Sequence, residues 1–184
     1  MTPAPLISVP LTPVLLTSRL LLRPFEHEDA TALARLLNDP AVAVGVCSVP
    51  QPFTKLHAAA RILMIRAKEM AGLDFAWAIE DVEGALVGTL GLAMAGTGIA
   101  NLGYSLSQHI WGHGYATEAV SAVLEWSARN LPLQEIRAEV FVDNPASARV
   151  LAKLSFEEIG FSSRFSLARL DTDPTRVFRL REIA

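Results

Sequence analysis

The chain has 184 residues, of which 51% are hydrophobic and 19% are charged, and this composition excludes a chain that is disordered throughout and indicates one packed domain. Lys and Arg number 16 against 19 Asp and Glu, so the formal net charge of −3 argues against the broad cationic field of a non-specific nucleic-acid-binding protein. The single cysteine, Cys47, excludes an intrachain disulfide, and with only four scattered histidines beside it we expect no metal site.

The chain also lacks the marks of a membrane or secreted protein. No hydrophobic run has the length of a membrane span, and the proline-rich N-terminus has no basic start of a secretory signal. We therefore expect a flexible N-terminal arm over residues 1–13, a single domain over residues 14–184, and a cytoplasmic protein that binds neither membrane nor nucleic acid.

Prolines, a glycine and helix-capping residues mark the ends of the predicted elements in the first part of the chain. Pro24 follows a leucine-rich run, acidic residues crowd the start of a helical pattern, and Thr54 is a suitable N-cap for a second helix that Gly72 closes. The predicted elements are, in order, a strand over residues 14–23, a helix over 26–38, an irregular segment over 41–53 and a helix over 54–71.

The next three strands are predicted at residues 75–80, 86–94 and 99–106. Their connections are too short for helical crossovers, so they form an antiparallel meander. A helix over residues 115–130 and a strand over 136–142 follow, which makes the third meander strand and this one parallel neighbours.

The end of the chain adds one more helix and a last pair of strands. Asn144 is a good N-cap with Pro145 at the first helical position, and this helix reaches about residue 154. The last strands are predicted at residues 159–167 and 175–181, with a turn over 170–174 between them.

The junction at residues 111–119, WGHGYATEA, carries the strongest functional signal. It follows a predicted strand and opens a predicted helix, whose first N–H groups have no intrahelical partner. With the helix dipole, these groups form a site for an anion such as a phosphate. The alternative is that the glycines serve only the turn.

Four blocks in this order resemble the GCN5-related N-acetyltransferases (GNAT), and more narrowly the branch of ribosomal-protein N-terminal acetyltransferases of the RimJ/RimL type. The blocks are TSRLLLRP at residues 17–24, LGYSL at 102–106, WGHGYATEA at 111–119, and NPAS at 144–147 followed by VLAKLSF at 150–156. The resemblance implies the α/β (α+β) GNAT fold: a mixed, mostly antiparallel sheet of six to seven strands with about four helices.

The resemblance further implies acetyl-CoA as co-substrate, with its pantetheine arm in the gap between two diverging strands and its diphosphate on the backbone amides of residues 111–116. Asn144 is expected both to cap its helix and to contact the cofactor. The implied cofactor-binding residues are Leu106, Trp111, Gly112, His113, Gly114, Tyr115, Ala116, Thr117, Asn144, Ser147 and Lys153. Thr117 and Glu118 are also expected to have structural roles, with Arg23 as one candidate partner for the Glu118 carboxylate.

The resemblance implies acetyl transfer by direct attack of an amine on the thioester. Many family members protonate the leaving thiolate with a Tyr, but Leu151 stands at that position, so the resemblance implies Ser147 as the catalytic residue. The branch often has Glu where this chain has Asn101, which leaves Glu139, a histidine or a water chain as the base.

The function expected is therefore an N-acetyltransferase that acts on a protein N-terminal α-amine or a small-molecule amine. The alternatives are a non-catalytic acyl-CoA-binding module of the same fold and a nucleotide-binding regulatory protein. The net charge of −3 mildly favours cationic acceptors. The sequence leaves dimerisation open, and the C-terminal strands, for example at residues 161–167, are where two subunits could pair as a homodimer.

Overall fold

One eight-stranded sheet, with strand order β1-β2-β3-β4-β5-β6-β8-β7, organises the computed structural model, which describes residues 11–181. The strands are β1 Leu15–Leu16, β2 Leu20–Pro24, β3 Asp74–Asp81, β4 Leu86–Met94, β5 Ile99–Leu106, β6 Glu135–Phe141, β7 Glu157–Ser166 and β8 Asp171–Leu180. The α-helices are α1 Ala30–Asn38, α2 Pro40–Ala43, α3 Lys55–Met70, α4 Tyr115–Asn130 and α5 Pro145–Lys153.

The mixed, mostly antiparallel sheet confirms the predicted fold class, although the number of elements differs. The predicted first strand is two strands, because the chain turns after β1 and pairs Leu16 with Leu21. The segment expected to be irregular begins with α2, which Asp39 caps by accepting a hydrogen bond from the Ala41 amide. The last turn lies at residues 167–170, so β8 begins at Asp171 instead of residue 175.

Strands β5 and β6 are parallel neighbours that pair over only half of their length. Ile99 to Leu102 of β5 pair with Glu135 to Ala138 of β6. Beyond that point β5 stays paired with β4 up to Leu106, and β6 stays paired with β8 up to Phe141. The predicted divergence of these two strands is therefore present, and it leaves a wedge whose walls carry unpaired backbone edges.

Two hydrophobic clusters cover opposite faces of the sheet. Side chains alternate between the faces of a strand, so Trp77 and Ile79 of β3 pack into the cluster that includes α4 and α5, whereas Ala78 packs into the cluster under α1 and α3. The wedge between β5 and β6 consequently has one helical layer on each side.

The residues just before β1 are attached to the sheet. Thr12 is buried, and its amide donates to Glu69 Oε1 at 2.6 Å, while the Pro13 carbonyl accepts from Trp77 Nε1 at 2.8 Å. The rest of the predicted flexible arm, residues 1–10, lies outside the described residues. Between residues 11 and 181, no helix is long and apolar enough to cross a membrane.

Candidate active site

A cavity of about 830 Å³ occupies the wedge between β5 and β6. Its walls include Tyr104 and Leu106 of β5, Glu139 and Phe141 of β6, and residues from the helical layers on both faces of the sheet. This volume lies in the range of small-molecule and cofactor sites, about 300–1,000 Å³. The wedge therefore opens a route through the sheet from the α4–α5 face to the α1–α3 face.

The loop before α4 presents a row of free backbone donors to this cavity. Gly112 has a φ of +80°, and Gly114, the N-cap of α4, has a φ of +85°. Within the described chain, the N–H groups of residues 112–117 have no backbone or side-chain acceptor, and the first amide of this helix to be bonded is that of Glu118, which donates to the Gly114 carbonyl at 3.0 Å. Such a row of N–H groups at a helix N-terminus can bind an anion.

Glu118 and Arg19 fix the position of this loop. Glu118 Oε1 accepts from the hydroxyls of Thr17 and Ser18 at 2.7 and 2.9 Å and from the Arg19 amide at 3.0 Å. The Arg19 guanidinium pairs with Glu118 Oε2 at 2.6 Å, donates to the His113 carbonyl at 3.0 Å and lies over the Tyr115 ring. These contacts tie the turn before β2 to the start of α4.

The predicted pairing of Glu118 with Arg23 is therefore wrong. Arg23 points to the other face of the sheet, where it contacts Asp29 at 2.7 Å and Glu80 at 2.5 Å. Arg19 lies in the turn between β1 and β2, next to the start of α4, and it forms the ion pair with Glu118 that was predicted for Arg23.

This anchor predicts a pH-dependent contribution to stability. Burial raises the pKa of Glu118, but the hydrogen bonds from Thr17, Arg19 and Ser18 outweigh it and lower the pKa from 4.5 to about 2. A lowered folded-state pKa stabilises the fold above the unfolded value, and this stabilisation is lost as the pH falls from 4.5 through 2. We expect Glu118→Gln to lower the free energy of unfolding by about 2 kcal/mol at pH 7, after allowance for solvent screening.

Denaturant unfolding of both proteins at several pH values measures this effect. The difference between wild type and Glu118→Gln should shrink as the pH falls below 4.5. Glu125→Gln is the matched control, because Glu125 is an exposed carboxylate on the same helix and its loss should change stability by less than about 0.5 kcal/mol. An equal loss of unfolding free energy for both substitutions at pH 7 would contradict the stabilising role of the Glu118 contacts.

A hydroxyl pair crosses the wedge on its α4–α5 side. Tyr104 Oη and Ser147 Oγ are 2.7 Å apart, and Tyr104 Oη also lies 3.3 Å from the Ser147 carbonyl oxygen. Burial raises the pKa of Tyr104 to about 12, against the opposing effect of the Ser147 hydrogen bond. Tyr104 is therefore protonated at neutral pH, and when it donates to Ser147 Oγ, the serine hydrogen is free to point elsewhere.

The other predicted contacts lie around the same cavity. Asn144 Oδ1 accepts from the Ser147 amide at 3.1 Å and caps α5, as predicted. The indole Nε1 of Trp111 donates to the Leu106 carbonyl at 2.8 Å, and this hydrogen bond holds the Trp111 ring against the last residue of β5. The predicted cofactor contacts that line the cavity are Leu106, Trp111, Gly112, Gly114, Tyr115, Ala116, Thr117, Asn144, Ser147 and Lys153. His113 belongs to the loop, but it is absent from the cavity wall that the described residues form.

The structure offers few side chains that could act as the general base. Glu139 lines the cavity, but Arg164 binds both of its carboxylate oxygens, at 2.6 and 2.7 Å, and this pairing lowers the pKa of Glu139. Asn101 also lines it and has no acid–base chemistry near neutral pH. Over residues 11–181, no histidine side chain reaches the cavity wall.

Sequence reasoning missed two further features of the cavity. One is Tyr104, whose partner is 43 positions away. The other is a set of cations, because the charged residues of the wall are Arg61, Arg149, Lys153, Arg164, Asp74 and Glu139. Both carboxylates are ion-paired, Asp74 with Lys68 and Glu139 with Arg164, so the cavity is cationic although the whole chain is acidic. In the described part of the chain, no group of three or more His, Cys, Asp or Glu residues could hold a metal ion.

Comparison with known proteins gives a consistent result. Residues 19–157 match the family model described as an acetyltransferase (GNAT) domain. The chain is 32% identical over 160 residues to the uncharacterized N-acetyltransferase p20 of Bacillus licheniformis, which covers 84% of this chain and 88% of that protein.

Two solved structures are similar in fold. Mycobacterium smegmatis RimJ in complex with CoA-disulfide has a TM-score of 0.78 at 23% identity, over 89% of this chain and 82% of that chain. RimL, the ribosomal L7/L12 alpha-N-protein acetyltransferase, in complex with coenzyme A has a TM-score of 0.82 at 19% identity, over 92% and 98%. These likenesses confirm the architecture predicted from the four sequence blocks.

Proposed function

The chain belongs to the acetyltransferase (GNAT) family, and from this premise we propose that it is an acetyl-CoA-dependent N-acetyltransferase that acts on a primary amine. The observation that carries this proposal is the single cavity that joins the free amides of residues 112–117 to the Tyr104–Ser147 pair. An anion site at one end and a hydroxyl donor at the gap in the sheet are what a diphosphate and a thioester require.

The cofactor contacts follow from this arrangement. The amides from Gly112 to Thr117 would hold the diphosphate, and Lys153 on α5 adds a cation to the same cavity. The unpaired edge of β5 beyond Leu102 would bond the amides of the pantetheine arm as an added strand does. The Leu106 carbonyl already accepts from Trp111, so it supports the arm with its second lone pair.

Transfer forms a bond between the amine nitrogen and the acetyl carbon and breaks the bond from that carbon to sulfur. The amine must lose one proton, and the departing sulfur gains the electron pair. When Tyr104 is the donor of the bond between the two hydroxyls, the Ser147 hydrogen is free to stabilise the developing thiolate. Ser147 is thus the proposed catalytic residue, and Tyr104 is its positioning residue.

The amine proton goes to water in this proposal. Since Arg164 keeps Glu139 ionised and lowers its pKa, Glu139 is a weak proton acceptor. A peptide N-terminal amine has a pKa of about 8, so a substantial fraction is already unprotonated in mildly alkaline solution, and a more basic amine requires a higher pH.

Two measurements test the function in order. Titration calorimetry should give a saturable heat with CoA and with acetyl-CoA, and release of free thiol from acetyl-CoA should then depend on an added amine. Tight binding of CoA without thiol release across peptides and small amines would instead support the non-catalytic acyl-CoA-binding module. Absence of heat with either ligand would overturn both.

The assembly is a further part of the proposal. β7 forms an edge of the sheet, and Phe161 and Phe165 on it are 73% and 55% exposed. Exposed aromatic residues on an edge strand favour pairing with another strand, so the homodimer through residues 161–167 stays a prediction.

A further inference from the structure

Arg61 lines the cavity on the side opposite to the anion-binding loop and forms no ion pair with any residue between 11 and 181. Arg61 lies on α3, in the α1–α3 layer. The free amides of residues 112–117 lie at the start of α4, on the other face of the sheet. The two positions line one cavity. A ligand that binds the loop from the α4 side therefore does not occupy Arg61. Arg61 stays available to a second ligand that enters the cavity from the α1–α3 side.

The guanidinium of Arg61 has few partners. Its one hydrogen bond to another described residue goes from Nη1 to Ser48 Oγ at 3.2 Å. Burial lowers the pKa of Arg61, and no carboxylate of residues 11–181 forms an ion pair with it. Among arginines of the described chain that form no ion pair, Arg61 alone is not exposed at the surface.

This arrangement is unusual for a cation, because a sheltered charge is costly unless it is paired. Five N–H donors in a fixed planar fork match a carboxylate, which guanidinium groups bind through two parallel hydrogen bonds. The other nearby cation, Arg164, is already bound to Glu139. Among the described residues, Arg61 is thus the cation on this side of the cavity that forms no ion pair and can bind an anion.

Apolar side chains accompany Arg61 on the same wall. Ile65 follows it by one helical turn on α3, and Val46 lies in the segment that also carries Ser48; all of these residues line the cavity. A ligand that is complementary to this wall carries an oxyanion that binds Arg61 and, next to it, a small apolar group that packs against Ile65 and Val46. An aminoglycoside-like polycation would instead meet Arg61 with like charge.

We propose that Arg61 binds the carboxylate of the acceptor, so that the acceptor is a small primary amine of the amino-acid class with an apolar side chain. The inference rests on the proposed acetyl transfer, and it replaces the weak preference for cationic acceptors that the net charge suggested. A bound carboxylate on Arg61 would leave the amine of the same molecule to face the thioester in the wedge.

Matched acids and amides test the proposal directly. L-leucine and L-leucinamide share an amine and a side chain and differ in the carboxylate. Titrated into the CoA-saturated protein, L-leucine should bind at least about tenfold more tightly, the effect of a charge-assisted hydrogen-bonded pair. Glycine and phenylalanine, each with its amide, extend the comparison to other side-chain sizes, and a leucine-initiated peptide amide represents a protein N-terminus.

Two variants locate the effect. Arg61→Gln should abolish the preference for the acid and leave the affinity for CoA within about threefold. Arg66→Gln removes the same charge from an exposed position on the same helix and should keep the preference intact. Circular dichroism and CoA binding show whether each variant is folded.

The outcomes separate this inference from the proposed function. Equal affinity for acids and amides, tighter binding of the peptide amide, or no binding of any pair while CoA still binds would overturn the role of Arg61 and leave the acetyltransferase proposal standing. A tenfold loss of CoA affinity in Arg61→Gln would assign Arg61 to the cofactor. If CoA itself gave no heat, the function would fall, while the same acid–amide pairs titrated into the free protein would still test Arg61.

Discussion

The Ser147→Ala variant is expected to lose about 10²-fold in kcat, while its affinity for CoA stays within about threefold of wild type. The reason is that the hydroxyl acts on a charge that appears only as the carbon–sulfur bond breaks, so its removal raises the barrier without weakening ground-state binding. Steady-state thiol release and titration with CoA measure the two quantities separately.

Tyr104→Phe is expected to lose about tenfold in kcat, because Ser147 keeps its hydroxyl but loses the hydrogen-bond partner that orients it. The double variant should be no slower than Ser147→Ala alone, since both residues act on the same hydrogen bond and their effects are not additive. A double variant whose loss equals the product of the single losses would show that the two hydroxyls act independently.

Ser105→Ala is the control for both variants. Ser105 is the neighbour of Tyr104 on β5, lines the same cavity and bonds Thr89 at 3.1 Å, but points to the opposite face of the sheet. Its loss should leave kcat within about threefold. If Ser147→Ala retained full turnover, or lost only CoA affinity, Ser147 would be removed from the chemical step.

The elements that frame the site could be predicted from the sequence because their signals are local. β4 and β5 have the predicted bounds, and α4 runs from Tyr115 to Asn130 as predicted, because glycines and Leu131–Pro132 mark its ends. The α5 cap follows from Asn144 and Pro145 alone. The same signal, an acceptor side chain before proline, is present at Asp39–Pro40 and marks the start of α2.

The partnerships inside the site could not be predicted in the same way. Glu118 and Arg19 are 99 positions apart, and the choice between Arg19 and Arg23 depends on where β2 begins after its turn. The unpaired state of Arg61 depends on how α3 lies over the cavity, which no spacing in the sequence encodes. One signal was available for the Glu118 anchor, since three adjacent residues with donor side chains, Thr17 to Arg19, match a carboxylate that needs several partners.

The Gly112→Ala variant is expected to weaken CoA binding by at least about tenfold. A methyl group at this position meets no atom within 4 Å, so the substitution creates no steric clash. The cost arises from the φ of +80°, which an alanine adopts only at about 1–2 kcal/mol. The loop is therefore expected to relax to another conformation and to disperse the N–H groups that would converge on the diphosphate, and each such charge-assisted bond is worth about 1.5–3 kcal/mol.

Gly84→Ala separates this local effect from a general loss of stability. Gly84 has a φ of +79° and equally open surroundings, but it lies in the turn between β3 and β4 and does not line the cavity. Both variants should lose similar thermal stability, whereas only Gly112→Ala should bind CoA more weakly. Pantetheine, which lacks the phosphates, should bind wild type and Gly112→Ala alike, so an equal loss for pantetheine and CoA would place the diphosphate elsewhere than on the amides after Trp111.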